Sequence, residues 1–466
     1  VDLVLHVLRL ILLAWAGGMF EPPPAGPCVH ATVAAGIECG TLHVFENRAT
    51  RQGRRIPIAY AVATAIQATE AAPVFLFAGG PGQGSTALIN MANGWAAPLR
   101  ETRDLVFIDQ RGTGRSNPLS CSTTRLEFPE HAFGHVFDPE DVRACRATLE
   151  PRADLTLYTT AHAIEDIDDV RARLGYDRIL LWGGSYGTRM AQAYARRYPA
   201  RVIAMVLDGV APFDVQMPSM YARGAQVALE RVFEACRADA NCAESYPSLA
   251  QDFAAILRRI REHPGPAKVR TRTGQVVDVT MSAGDFGYAV RGILYDPHVT
   301  ARLPEMIHRA AVSGDLSEFA QRYWARAVSL ERSLAHGLHL SVLCPEDIAL
   351  LPEAEIDPRS RETFLGSYVL DEYRQACRIW PAIPSDPDSA RPLDTSVPTL
   401  LLSGHFDPVT PPEFAQRVAR SLPLSAHVVD AAGGHGVTGR CALAAVLHVL
   451  TTGTIDNLPV VCRPGL

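Results

Sequence analysis

Ten residues, Leu180–Arg189, restrict the possible fold more than any other stretch of the chain. They read Leu-Leu-Trp-Gly-Gly-Ser-Tyr-Gly-Thr-Arg. The apolar run that begins at Ile179 stops at Gly183, and Ser185 sits at the centre of a Gly-x-Ser-x-Gly pattern. Met190–Tyr198 then has a helical pattern that ends before Pro199. Strand, sharp turn and helix are therefore expected in that order. A turn this tight holds its central residue in a strained backbone conformation and presents the side chain at the tip, and glycines on either side give it room. The helix start behind it points free N–H groups at any negative charge that develops there. Alone, the pentapeptide would suit a Gly-rich loop in any α/β domain. Between a buried strand and a helix it reads as a turn that presents a nucleophile.

The rest of the chain keeps a strand–helix rhythm at its two ends. Gly40–Phe45, Ile56–Thr64, Pro73–Ala78, Asp104–Asp109, Val202–Leu207, Pro398–Ser403 and Ala426–Asp430 read as strands. Asp138–Leu149, Ala161–Leu174, Glu413–Ser421 and Cys441–Leu450 read as helices. Continuous apolar runs such as Pro73–Ala78 suit strands buried on both faces, so the sheet is expected to be mostly parallel and doubly wound. Between Asp214 and Asp388 the rhythm becomes helical, with helices expected at Tyr221–Asp239, Tyr246–His263, His298–Ala311 and Leu316–His336 and a hairpin around Thr273-Gly274. The Pro-rich Arg378–Asp394 reads as the return linker. On Ala161–Leu174, the carboxylates of Glu165, Asp166, Asp168 and Asp169 read as a solvated helix face rather than acid–base machinery.

Composition narrows the function classes. The chain has 466 residues, 47% hydrophobic and 20% charged, with ample material for a large core. A net charge of −6 without a basic tract gives no footprint for nucleic acid. Ten cysteines, none in a Cys-x-x-Cys pair or at finger-like spacing with histidine, argue against a zinc site and suit disulfides in an oxidising compartment. No metal or cofactor is expected. Val1–Ala16 is mostly apolar and ends Ala14-Trp15-Ala16, followed by Glu21-Pro22-Pro23-Pro24, so residues 1–27 read as a secretory leader and linker. The uninterrupted apolar run is too short to span a bilayer, and no stable membrane anchor is expected.

A serine nucleophile needs a base, and the base needs an orienting carboxylate. Asp407 lies just past the end of the Pro398–Ser403 strand, and His435 just past the next strand, the edge at which such sheets place their sites. Of fifteen histidines, only His435 stands in a Gly-rich loop at such a point. His405 reads as a pocket wall, and Asp430 is too near His435 along the chain to replace Asp407. Gly79-Gly80-Pro81-Gly82 after the buried Pro73–Ala78 strand lacks a Gly-Lys-Ser/Thr ending, so it reads as an oxyanion loop rather than a phosphate loop. One N–H would come from Gly80 and one from Tyr186. The loop Gln110–Ser116 reads as a buttress to the site.

These motifs carry a family resemblance. Gly79-Gly80-Pro81-Gly82, Asp109-Gln110-Arg111-Gly112-Thr113-Gly114, Gly183-Gly184-Ser185-Tyr186-Gly187, Asp407-Pro408-Val409-Thr410-Pro411 and Gly434-His435-Gly436 resemble the α/β-hydrolases of the prolyl and tripeptidyl aminopeptidase group, serine peptidase family S33. The C-terminal part is similar to the tripeptidyl aminopeptidase-like region of exported members. One departure is Ala78, where the oxyanion motif usually begins with histidine. The resemblance implies an α/β-hydrolase fold with a core at 28–213 and 395–466 and a helical cap at 214–394. It implies a Ser185–His435–Asp407 triad acting on peptides with a free N-terminus, with a carboxylesterase on the same triad as the alternative and a non-catalytic binder as a third reading. Glu346, and after it Asp347, match the cap segment whose acid holds the substrate ammonium; a helix-start acid is the competing reading of that segment. Sequence proximity and the resemblance favour the pairs Cys28–Cys39, Cys121–Cys145, Cys236–Cys242, Cys344–Cys377 and Cys441–Cys462.

Overall fold

The computed structural model describes residues 36–67, 69–121, 128–351, 358–459 and 462; the expected leader and Cys28 lie outside the described residues. The strands in chain order are β1 Ile37–Phe45, β2 Arg55–Ala63, β3 Val74–Phe77, β4 Leu105–Ile108, β5 Ile179–Gly184, β6 Val202–Asp208, β7 Gly265–Arg270, β8 Val276–Met281, β9 Thr399–Gly404 and β10 Ser425–Asp430. Eight of them form one sheet in the order β1-β2-β4-β3-β5-β6-β9-β10. The pairs β1/β2 and β2/β4 are antiparallel and all the others parallel. β7 and β8 form a separate hairpin.

The sheet is buried on both faces because its side chains alternate between two apolar layers. Phe75, Val106, Leu181, Leu207 and Leu401 enter one layer. Their strand neighbours Leu76, Phe107, Leu180, Trp182, Val206, Leu400 and Leu402 enter the other. This is the period-2 geometry of a strand, and it explains why these segments are apolar without interruption.

The longer helices are α1 Pro139–Leu149, α2 Thr160–Arg173, α3 Tyr186–Arg197, α4 Met217–Ala238, α5 Leu249–Glu262, α6 Ala283–Ile293, α7 Leu303–Ser313, α8 Ser317–Ser333, α9 His336–Glu346, α10 Tyr368–Ile379, α11 Pro412–Ala419 and α12 Leu443–Thr452. Local chemistry sets several starts. Asp138 accepts a hydrogen bond from the Glu140 N–H and Thr159 from the His162 N–H, and Ser282 with Asp285 forms a reciprocal capping box. On α5 the buried Leu249, Phe253, Ile256, Leu257 and Ile260 make one stripe. That stripe joins Phe286, Phe319 and Phe364 in a third apolar core, built mostly from the chain between β6 and β9.

The helix expected over Leu316–His336 is present as α8, which ends at Ser333. Two sequence expectations need correction. Helices α6, α9 and α10 were not anticipated. On α2 the acidic residues do not form a solvated face. Asp166 is buried, bonded through both oxygens to the fully buried Arg111, and Arg48 gathers Glu165, Asp166 and Asp169. The disulfides Cys121–Cys145, Cys236–Cys242, Cys344–Cys377 and Cys441–Cys462 are formed as expected. Among the described residues no helix is long and apolar enough to cross a membrane.

Candidate active site

The turn between β5 and α3 places Ser185 at φ 55° and ψ −123°, a left-handed conformation that a side chain adopts only under constraint. The constraint is crowding. A Cβ on Gly183 would strike the Gly187 carbonyl, and one on Gly187 would strike the Phe77 carbonyl, so both positions exclude any side chain. The Ser185 N–H donates to the Asp208 carbonyl at 2.8 Å, which ties the turn to the end of β6.

Past β9 and β10 the sheet edge supplies the other two groups. His435 Nδ1 lies 2.8 Å from Asp407 Oδ2. Asp407 is fully buried, and its Oδ1 accepts the Val409 and Thr410 N–H groups at 2.8 and 2.9 Å. The Thr410 hydroxyl donates to Oδ2 at 2.6 Å and lies 3.2 Å from His435 Nδ1. Burial alone would raise the Asp407 carboxyl, but the His435 charge and the bonds from His435 and Thr410 outweigh it, and the net direction is down. Burial alone would lower His435; the Asp407 charge and hydrogen bond reverse this and raise it above the ordinary imidazole value. With Nδ1 turned to the carboxylate, Nε2 is the nitrogen left for a serine proton.

Ser185, Tyr186 and His435 share a cavity of about 550 Å³ with Gly79, Gly80 and Pro81. The Gly loop passes directly over the serine, since a Cβ on Gly79 would stand 3.0 Å from Ser185 Cβ. Gly80 has φ 112°, open to glycine only, and Tyr186 is the first residue of α3, whose N–H has no partner within the helix. A carbonyl attacked by Ser185 would thus meet backbone donors from two directions. The Gln110 loop supports this corner, with Gln110 Nε2 donating to the Tyr186 hydroxyl at 3.3 Å.

Glu346 and Asp347, expected as ammonium anchors, do not line the cavity. Glu346, at the end of α9, accepts the Thr160 N–H and hydroxyl, each at 2.7 Å, and Thr160 in turn accepts the Tyr186 hydroxyl at 2.6 Å. Burial pushes the Glu346 carboxyl up to about 7 against the Thr160 bonds. Asp347 is fully buried and grips the Arg189 guanidinium through both oxygens at 2.8 and 3.0 Å, and it also accepts the Met217 N–H. Both acids therefore tie α9 to the helices beside the nucleophile. His405 does not line the cavity either: it packs edge-on against Phe406, and its carbonyl accepts Arg231. Asp430 is bonded to Arg440, not to His435.

Two contributors escaped the sequence reading. Asp208 accepts Ser185 through its carbonyl, while its carboxylate accepts the Val437 N–H, the Thr438 N–H and the Thr438 hydroxyl at 2.7–3.0 Å. One residue thus fixes the nucleophile turn and the histidine loop together, and its place at the end of β6 was the available signal. Tyr295, between β6 and β9, meets the His435 ring edge-to-face at 5.1 Å, and its carbonyl accepts the His435 N–H at 3.1 Å. No pattern in the sequence marks it.

The family model for the alpha/beta hydrolase fold matches residues 72–437. The chain belongs to the α/β-hydrolase family. It is also similar to the serine protease Hip1 of Mycobacterium tuberculosis, 26% identical over 388 residues, covering 74% of this chain and 71% of that protein. A probable proline iminopeptidase of Streptomyces coelicolor is 30% identical over 173 residues, 37% of this chain and 43% of the relative. Among solved structures, the proline iminopeptidase of Mycobacterium smegmatis aligns over 88% of this chain and 95% of its own with a TM-score of 0.39 and 15% identity. The resemblance carried by the motifs thus stands at the level of a serine hydrolase of the peptidase group.

Proposed function

We propose that this α/β-hydrolase is an exported serine exopeptidase that removes residues or short peptides from free N-termini. Ser185 attacks the scissile carbonyl while His435 takes its proton; Asp407 holds the imidazole tautomer and stabilises its cation. The N–H groups of Gly80 and Tyr186 receive the oxyanion, and His435 returns the proton to the leaving amine. Water then releases the acyl-enzyme by the same route.

The observation that carries the reading is the position of Ser185 in a cavity of about 550 Å³ walled by residues of the insertion, among them Tyr221, Tyr295 and Tyr373. A space of that size admits a chain end and excludes a folded loop. The 214–394 segment is accordingly proposed to be the cap that limits the enzyme to chain ends. The proline iminopeptidase relatives favour the amino end. Four disulfides among the described residues favour an oxidising compartment, hence export.

The test is one peptide in two forms, with its N-terminus free and acetylated, beside a small neutral ester. Cleavage of the free form at least tenfold faster supports the reading. Equal cleavage of both forms removes the N-terminal specificity, and turnover of the ester alone makes the protein a carboxylesterase.

A further inference from the structure

The insertion side of the cavity carries two arginines that meet no carboxylate among the described residues. Arg291, on α6, is 4% exposed and lines the cavity. Its guanidinium lies over the ring of Tyr221 at 4.2 Å, with Tyr295 at 5.3 Å and Tyr288 at 5.9 Å. Its Nε is buried without a hydrogen-bond partner. Arg326, on α8, also lines the cavity; it is partly exposed, lies over the Tyr295 ring at 4.0 Å, and has a buried Nε without a partner. Tyr295 is the residue whose ring meets His435.

A guanidinium taken out of water is costly unless an anion or a set of acceptors replaces its hydration. Ring faces replace only part of it. Elsewhere the protein follows the rule: the buried Arg111 holds Asp166, and the buried Arg189 holds Asp347. The carboxylate that lines the cavity, Asp208, is already taken by Val437 and Thr438. Two guanidinium groups beside one ring, next to His435, thus have no carboxylate partner among the described residues, Arg291 buried and Arg326 partly exposed. Arginine presents paired N–H donors that match a carboxylate.

We infer that Arg291 and Arg326 form a subsite for a carboxylate of the substrate, so that the preferred substrates are short peptides bearing a carboxylate close to the scissile bond. This rests on the peptidase reading of the same cavity. The carboxylate has two sources, the C-terminal α-carboxylate of a di- or tripeptide or an acidic side chain.

Binding to the Ser185→Ala protein isolates recognition from turnover. Two ligand pairs are measured by calorimetry: a neutral tripeptide as its free acid and as its C-terminal amide, and an amidated tripeptide carrying Glu or Gln. The acid form of at least one pair is expected to bind at least tenfold tighter, and the pair that responds identifies the source. In Ser185→Ala/Arg291→Met the gap should close to under threefold, with Arg291→Lys retaining part of it. Arg326→Gln should narrow it as well. A gap under twofold in both pairs on the Ser185→Ala protein overturns the inference, and this readout does not depend on whether the arginine variants fold. A gap that survives both arginine replacements in folded protein overturns it too. If the active protein cleaves both acids and amides equally, the peptidase reading stands and only the subsite fails; if it cleaves no peptide yet the gap is present, the subsite stands and the peptidase reading fails.

Discussion

The two sides of the cavity treat charge in opposite ways. On the sheet side Asp407, Asp208 and Asp109, the buried carboxylates at the strand ends, are each held by several donors. Asp407 accepts four hydrogen bonds, Asp208 is taken up by Val437 and Thr438, and Asp109 accepts from Thr86 and Arg115. On the insertion side Arg291 and Arg326 rest on tyrosine rings with their Nε atoms unmet. A saturated group cannot change partner cheaply, so it positions others. A group left open on a cavity wall is available to a ligand. On the proposed reading, the sheet side does the chemistry and the insertion side chooses which substrate arrives.

The largest test of this contrast is Asp407→Asn. The fold should survive, and kcat should drop on the order of 10⁴-fold, because the amide holds the wrong imidazole tautomer. The pH profile gives a second readout. Asp407 raises His435 above its ordinary value of 6.5, and the base works only when neutral, so wild-type kcat/KM should fall as pH drops through a midpoint above 6.5. In Asp407→Asn that limb should move to lower pH; an unmoved limb would detach His435 from Asp407.

Next in size is Asp347→Ala. It leaves the buried Arg189 charge with only the Pro212 and Val215 carbonyls, and breaking a buried ion pair costs about 3–5 kcal/mol, read as a lower urea midpoint. A loss under about 1 kcal/mol would mean that a buried arginine needs no carboxylate here, which would remove the contrast between Arg189 and Arg291.

Glu346→Gln probes a sheet-side link that reaches the insertion. Burial raises this carboxyl to about 7 in the folded protein, above its unfolded value. Its contribution is fully present below the unfolded value and is lost as pH rises through about 7. Glutamine should flatten that fall, by about 1–3 kcal/mol between pH 4 and 8. Peptide and ester turnover should change together, since Glu346 acts through Thr160 and Tyr186; a selective loss on free-amine peptides would restore it as an ammonium anchor.

The smallest effect is expected for Thr410→Val, which removes one hydroxyl from Asp407. About tenfold in kcat, near 1.4 kcal/mol, should be lost, and Thr410→Ser should recover most of it. No change would show that three bonds saturate Asp407 as well as four.

The sheet side was legible because its information is local. A strand that ends in glycine beside a serine, aspartate or histidine announces its place at the sheet edge, and chain order supplies the rest. The insertion was less legible. Helix α9, His-Gly-Leu-His-Leu-Ser-Val-Leu-Cys-Pro-Glu, is buried from Gly337 to Pro345 and carries no polar stripe, so no helical period emerges. Asp166 was misread because its partners Arg48 and Arg111 are distant in sequence. Glu346 has the right residue type in a matching segment, but its direction depends on Thr160, which lies 186 positions away. Arg291 looks like any helix-surface arginine until Tyr221 and Tyr295 are seen beside it.

The bond from the His435 N–H to the Tyr295 carbonyl bears on how this enzyme could be rebuilt. It makes the proposed general base lean on a residue between β6 and β9, and the same carbonyl packs where a side chain at Gly434 would stand. The two parts are therefore not interchangeable modules. A chimera that keeps the sheet and takes its cap from a relative needs a carbonyl at the place of Tyr295, or its histidine loop loses a support even though every member of the triad is retained. Trimming the chain to a minimal hydrolase meets the same obstacle, because removing the stretch through Tyr295 removes the acceptor of the His435 N–H.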